Sequence, residues 1–317
     1  MQDYLVFGPV PSRRSGRSLG INNIPTKHCS YSCVYCQLGY SKTVSPVRKE
    51  FFQPELIIKS LKDKINQNPD LLSKVDYITI VSGGEPTLDS NLYKLICLLK
   101  EFGKPVAILT NASLLWKEEV RDDLLNADLV SIKIDAVKEN HWRFINMPNE
   151  YLNLNRIKDG IINFSKEFRG NLISETMLID KIEYDFLKIG KFLKLIKNLQ
   201  NCYISIPTRP PSFQWVHAAR EQVINSAYQI LSSELQNSKV ELILGFEGSD
   251  FYFSGDIRED ILSITAIHPI KESVLEKLLS KFNANWQIVE NLLKDKQLIK
   301  ILYNNENFYL RKINRNN

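Results

Sequence analysis

Residues 75–135 read VDYITIVSGGEPTLDSNLYKLICLLKEFGKPVAILTNASLLWKEEVRDDLLNADLVSIKID. Three short β-branched runs, at 75–81, 105–110 and 128–135, alternate with two helix-like segments, at 89–101 and 116–125. Strands that alternate with amphipathic helices imply parallel βαβ units with right-handed crossovers. The same alternation extends outward to strand-like NLISETMLI (171–179) and CYISIP (202–207), and to helix-like 53–67, 152–168 and 183–199. An early strand is expected within Leu19–Ile24, inside a lead-in (8–25) of turn formers and basic residues. That makes about six βα units, fewer than the eight of a closed barrel, so the class is α/β. An incomplete barrel and an open doubly wound sheet both fit, and in both ligands gather at the C-terminal ends of the strands.

Beyond this core come a helix-like stretch (217–236) and a further strand-like run, VELILGFEG (240–248), and then FYFSGD breaks the pattern. Residues 258–313 read as three helices and a hairpin (LIKILY, a turn at Asn304–Asn305, NFYLRKI), with Pro269 just before the second helix. Helix, helix, helix and hairpin is the winged-helix order. The expected organisation is a core with its lead-in over 1–250 and a winged-helix-like domain over 258–317.

A composition of 44% hydrophobic and 24% charged residues over 317 positions is that of a globular protein with a sizeable core. No apolar run reaches the roughly 20 residues that cross a bilayer. The start, MQDYLVFGPVPSRR, lacks the pattern of a secretory signal, so a cytoplasmic location without membrane contact is expected. A net charge of +5 permits an anionic partner without demanding one. Five cysteines, three of them within eight positions, do not suggest a disulfide framework.

Those three, Cys29, Cys33 and Cys36, stand in KHCSYSCVYCQLG as C-x3-C-x2-C. Three thiolates from one loop can each hold a different iron of a cubane and leave the fourth iron open, whereas electron-transfer clusters normally have four cysteines. The competing readings are a zinc site completed by His28 and a chance grouping of buried thiols. Residues adjacent in sequence, as His28 and Cys29 are, rarely both reach one tetrahedral metal.

With an aromatic, Tyr35, before the third cysteine, the loop resembles the signature of the radical S-adenosylmethionine (SAM) superfamily. The resemblance implies a [4Fe–4S] cluster on Cys29, Cys33 and Cys36, SAM on the open iron, and a one-electron reductant of flavodoxin or ferredoxin type. It implies reductive cleavage of SAM to methionine and a 5′-deoxyadenosyl radical that abstracts hydrogen from a substrate. Gly83, Gly84, Glu85 and Pro86 match the family's GGEP motif and are expected at the SAM amino group, although a plain βα turn before a helix capped by Asp89 would read the same way. Thr110–Asn111 stand where the family often has T-N-G close to the cofactor, but the third residue here is Ala112. Along 128–135, Ser131, Lys133 and Asp135 share one face. They are candidates for the SAM ribose or carboxylate, with a structural Lys133–Asp135 pair as the alternative. By resemblance Glu175 is expected at the ribose hydroxyls, Met177 beside the adenine, and Arg209 within reach of substrate. Cys97 and Cys202 read as core residues.

GPVPSRRSGRSLGINNIP, CQLG, TNASLLW, IPTRPP and SITAIHP together resemble a prokaryotic family grouped with the tRNA wyosine synthase radical SAM proteins. Wyosine synthases carry a second cluster or a pyruvate-capturing lysine. This chain has no second cysteine cluster, so wyosine synthesis itself is not expected. The expected reaction is hydrogen abstraction from a macromolecule, RNA (tRNA) first, with Arg13, Arg14 and Arg17 and the C-terminal domain on its phosphates. Modification of a peptide or protein is the second expectation. A non-enzymatic Fe–S redox sensor with a DNA-binding winged helix is the rival from another class.

Overall fold

A computed structural model describes residues 4–41, 44–245, 256–266 and 268–312. Its centre is an eight-stranded sheet whose spatial order follows the chain. Strand β1 (Val6–Ser12) pairs antiparallel with β2 (Gly16–Ile21). From β2 onward every neighbour is parallel: β3 (Tyr77–Ile80), β4 (Val106–Thr110), β5 (Leu129–Lys133), β6 (Asn171–Met177), β7 (Leu199–Ser205) and β8 (Lys239–Ile243). A doubly wound sheet reverses its strand order at a switch point. This sheet has no reversal, which removes that alternative.

The helices are α1 (Pro54–Gln67), α2 (Leu92–Lys100), α3 (Glu118–Leu124), α4 (Glu139–Asn146), α5 (Leu154–Glu167), α6 (Phe186–Leu193) and α7 (Glu221–Glu234). Helix α1 opens with Pro54 and Glu55, suited to the free N–H groups and positive end of a first turn, and buries Ile57, Ile58 and Leu61. Helix α5 is capped by Asn153, whose side chain accepts from Arg156 N at 3.1 Å. The outward-facing Val130 and Ile132 of β5 pack with these helices in one continuous core.

The inner face of the sheet is graded along the strands. Near the N-terminal ends Ala107, Leu129, Ile173 and Tyr203 form an apolar plug. One or two pleats further on the same face carries Ser131, Lys133, Glu175 and Ser205. The sheet is also strongly curled. Four strand spacings separate β2 from β6, roughly 19 Å if flat, yet Arg14, in the β1–β2 turn, forms an ion pair with Glu175 of β6.

The lead-in thus contains two strands, not one: residues 6–21 form a hairpin, and the expected strand at 19–24 ends at Ile21. Helix α4 is an element the hydrophobic pattern does not announce. The break at 251–256 lies outside the described residues except for Asp256.

After the sheet come α8 (Ile257–Thr265), β9 (Ile270–Lys271), α9 (Glu272–Lys281), α10 (Gln287–Lys294), β10 (Leu298–Tyr303) and β11 (Glu306–Arg311). Its strands form a separate small sheet in the order β10–β11–β9. Asn304 and Asn305 both have positive φ, 49° and 60°, as a two-residue hairpin turn requires. This unit has its own apolar cluster, and that cluster includes Phe7 and Val10 of β1 together with Ile261, Leu275 and Tyr309. Tyr4 adds a hydrogen bond to Glu259 at 2.7 Å. No helix among the described residues is long and apolar enough to cross a membrane.

Candidate functional site

A cavity of about 330 Å³ opens at the C-terminal ends of the strands. It is lined by Cys29, Cys33 and Cys36 on one side and by Ser131, Lys133, Glu175, Met177 and Ser205 on the other. Gly83, Gly84 and Asn111 complete the wall between them.

The cysteine loop leaves β2 and is held by the β3–α2 turn. Lys27 N donates to Gly83 O at 2.6 Å and Glu85 N to His28 O at 2.9 Å. A side chain on Gly84 would overlap the His28 carbonyl, and one on Gly83 would sit 2.9 Å from Thr26 Cα. The two glycines therefore admit the backbone of the cysteine loop, while still facing the cavity. Burial raises all three thiols above their ordinary value, Cys33 to about 12. Binding to a metal would release those protons.

Among the described residues no three His, Cys, Asp or Glu side chains are arranged to grip one metal ion. A single zinc ion needs ligands converging at 2.0–2.3 Å on one point, whereas the thiols of a cubane each meet a separate iron. His28 does not complete a site either: its Nδ1 lies 3.2 Å from Pro25 O and its ring meets Phe51 edge-on. Cys97 lies on α2, Cys202 is buried in β7, and neither lines the cavity. The donor set is three thiols from one loop, which fits a cluster with one open iron.

Glu175 is the electrostatic centre of the opposite wall. It accepts from Lys133 Nζ at 2.9 Å and Ser205 Oγ at 2.8 Å, and pairs with Arg14. Burial alone would raise its pKa, but Arg14 and Lys133 outweigh it and hold the carboxyl well below the ordinary range. Burial likewise works against the charge of Lys133, and Glu175 and Asp135 outweigh it. In place of the Lys133–Asp135 pair held as the alternative, Lys133 pairs with Glu175, and Asp135 lies beyond the end of β5.

Glu85, Pro86 and Asp135 are the three expected cofactor contacts that do not line the cavity. Glu85 is fully engaged from behind it, accepting from Thr87 N (3.1 Å), Thr87 Oγ1 (2.6 Å), Thr110 Oγ1 (2.6 Å) and Asn111 N (2.7 Å). Its role in this fold is to tie the end of β4 to the β3–α2 turn. Asp135 accepts from Tyr35 OH, from Asn146 Nδ2 at 2.7 Å and from Met177 N at 2.8 Å. Both carboxyls are pushed upward by burial.

The basic lead-in is likewise redistributed. Arg13 and Arg14 line the cavity. Arg17 is outside it, on the exposed Asp76, with its Nη2 3.3 Å from Oδ1. The three arginines therefore do not share one outward patch. Arg209, which the sequence did put within reach of a substrate, lines the cavity and donates to Gln37 Oε1 at 3.1 Å.

Several lining residues escape a reading of the motifs. Ser205 had a weak signal, a polar residue at the inward period of CYISIP. Lys27 had none beyond its place before the cysteines. His268 comes from the C-terminal unit. From the same unit Tyr303 OH donates to Pro207 O at 3.3 Å, and Pro207 is itself a lining residue. The C-terminal unit thus stands against the mouth of the cavity.

Comparison with known proteins follows the same lines. The family model described as the radical SAM superfamily matches residues 23–193. The UPF0026 protein MJ1312 of Methanocaldococcus jannaschii is 44% identical, with 98% of this chain and 96% of that one aligned. Among solved structures, a radical SAM methyltransferase from Sphaerobacter thermophilus has a TM-score of 0.52 at 15% identity, covering 71% of this chain and 66% of that one. TYW1 with a bound lysine–pyruvate adduct has a TM-score of 0.49 at 17% identity, covering 68% and 73%.

Proposed function

The chain belongs to the radical SAM superfamily, and from that premise we propose that it is an enzyme that binds a [4Fe–4S] cluster through Cys29, Cys33 and Cys36 and uses SAM to abstract hydrogen from a substrate. The observation that carries this reading is the convergence of three loop thiols, with no fourth cysteine beside them, on a cavity at the strand ends whose far wall carries Ser131, Lys133 and Glu175. When bound, cluster and SAM supply a one-electron cleavage that yields a carbon radical.

The chain's own residues bind, orient and exclude water. Gly83, Gly84 and Asn111 form the wall nearest the thiols, and Ser131 and Met177 the far wall. Glu175 receives three donors on about four lone-pair positions. The remaining position suits a ligand hydroxyl such as one of the ribose. Lys133 and Arg14 keep that carboxylate ionised and fixed, so it accepts and does not donate a proton. A small one-electron carrier of flavodoxin or ferredoxin type is the expected reductant.

RNA contact by residues 258–317 is the second part of the proposal. Its support is the order helix, strand, helix, helix, hairpin, which suits a winged helix with β10–β11 as the wing. Lys271 and Lys300 on the strands are paired with Glu306 and Glu272. Contact would therefore rely on the other basic side chains of this unit.

The test is anaerobic reconstitution with iron and sulfide, followed by EPR with and without SAM and an assay for 5′-deoxyadenosine. A reduced-cluster signal perturbed by SAM, with product formed and both lost in Cys33→Ala, is the expected result. A cluster indifferent to SAM, without product, would favour a redox sensor. Zinc in place of iron would overturn the cluster assignment.

A further inference from the structure

Beneath the cysteine loop Asn146 and Asp135, neither of which lines the cavity, form a buried polar network with Cys33 and Tyr35, which do. Asn146, the last residue of α4, is 2% exposed. Its Nδ2 lies 2.7 Å from Asp135 Oδ2, 3.4 Å from Cys33 Sγ and 3.4 Å from Tyr35 OH. A carboxylate only accepts, so the amide must present its nitrogen to Asp135. That orientation also points the second N–H towards Cys33. Tyr35 OH donates to Asp135 as well, so Asp135 holds both groups in place.

The first cysteine has a matching arrangement. Asn111 Nδ2 lies 3.0 Å from Ser30 Oγ and 3.6 Å from Cys29 Sγ, while its Oδ1 accepts from Ser113 N at 2.9 Å. Its amide is fixed at the oxygen end, and its two protons meet two acceptors, one of which is sulfur.

Resting on the reading that these thiols hold the cluster, we propose that Asn146 and Asn111 are positioning residues that set the reduction potential of the cluster, by donating N–H···S hydrogen bonds to the sulfurs of Cys33 and Cys29. A donor to a ligating thiolate draws negative charge off the sulfur and favours the state with one more electron. Asp135 acts one step further out: it fixes the Asn146 amide so that its second proton has sulfur as the most negative acceptor in reach.

The experiment is an EPR-monitored redox titration of the reconstituted protein, with dithionite as electron donor, alongside iron and sulfide analysis. Removing one donor in Asn146→Ala should make one-electron reduction about tenfold less favourable, a fall of about 59 mV. Asn111→Ala, remote from Asp135, should give a fall of the same sign, and it carries the test by itself if the Asn146 variant does not fold. In wild type, pulsed ENDOR should detect exchangeable protons coupled to the cluster, and fewer of them in each variant. Four-iron protein in both variants at the wild-type potential would overturn the proposal. Wild-type protein that assembles no four-iron cluster would instead sink the cluster reading itself, so the two failures are separable.

Discussion

Ala112 has φ +62°, in the left-handed region, and is 1% exposed. An L-residue pays roughly 1–2 kcal/mol there. Replacement by glycine removes that strain but loses about 0.8 kcal/mol of methyl burial and up to about 1 kcal/mol of unfolded-chain entropy. The terms nearly cancel, so Ala112→Gly should melt within about 0.5 kcal/mol of wild type in denaturant titration. Ala112→Val, which adds β-branching to a strained and filled site, should cost about 2 kcal/mol or more. A second residue-scale expectation concerns Glu175. Its folded pKa lies below its ordinary value of 4.5, so its contribution to stability is fully present above about pH 4.5 and is lost as the pH falls towards its folded value. Glu175→Gln should leave Lys133 buried without its carboxylate, at a cost of roughly 3–5 kcal/mol. It should also flatten the acid limb of the melting profile below about pH 4.5. An unchanged acid limb would mean that other carboxyls set it.

At the scale of elements, the β10–β11 turn carries Asn at both positive-φ positions. Asn305→Gly gives the Asn–Gly pair that such turns favour, and it should raise the melting midpoint slightly without altering cluster content. The parallel units of the sheet were legible because each strand is β-branched and each following helix keeps an amphipathic period. Strand β1 was not, because VFGPVPS holds two prolines and a glycine, which argue against a strand. It is tolerated because β1 is an edge that pairs on one side only. Helix α4, ENHWRFIN, is short and built from weak helix formers, and its value lies in delivering Asn146 beneath the cysteines. The three cysteines and the inward polar faces of β5 and β6 could be read from spacing and alternation. Of the donors that engage Glu85 and Asp135, only Thr87 is local; Thr110, Asn111, Tyr35, Asn146 and Met177 come from other segments, and no local pattern encodes those contacts.

At the scale of the whole molecule, two expectations separate the C-terminal unit's roles. If residues 258–317 contact tRNA through even two or three phosphates, binding should weaken about tenfold or more between 50 and 200 mM salt. A salt-insensitive complex in a filter-binding assay would remove RNA from the reading. Ending the chain before Asp256 should strip Phe7 and Val10 of their apolar partners. The shortened protein is expected to aggregate or melt earlier than the full chain, as judged by light scattering on heating. A shortened chain of undiminished stability would show that β1 needs no such cover. The shared cluster also bears on the order in which the protein becomes complete in a cell. A ribosome releases Phe7 well ahead of Ile261, Leu275 and Tyr309, which follow it far along the chain. At about 5–20 residues per second, β1 spends on the order of tens of seconds without the surface that covers it. The rim of the cavity that carries Arg14 therefore matures only after Ile261, Leu275 and Tyr309 have emerged, and a chaperone that shields the nascent chain would act on this short apolar strand.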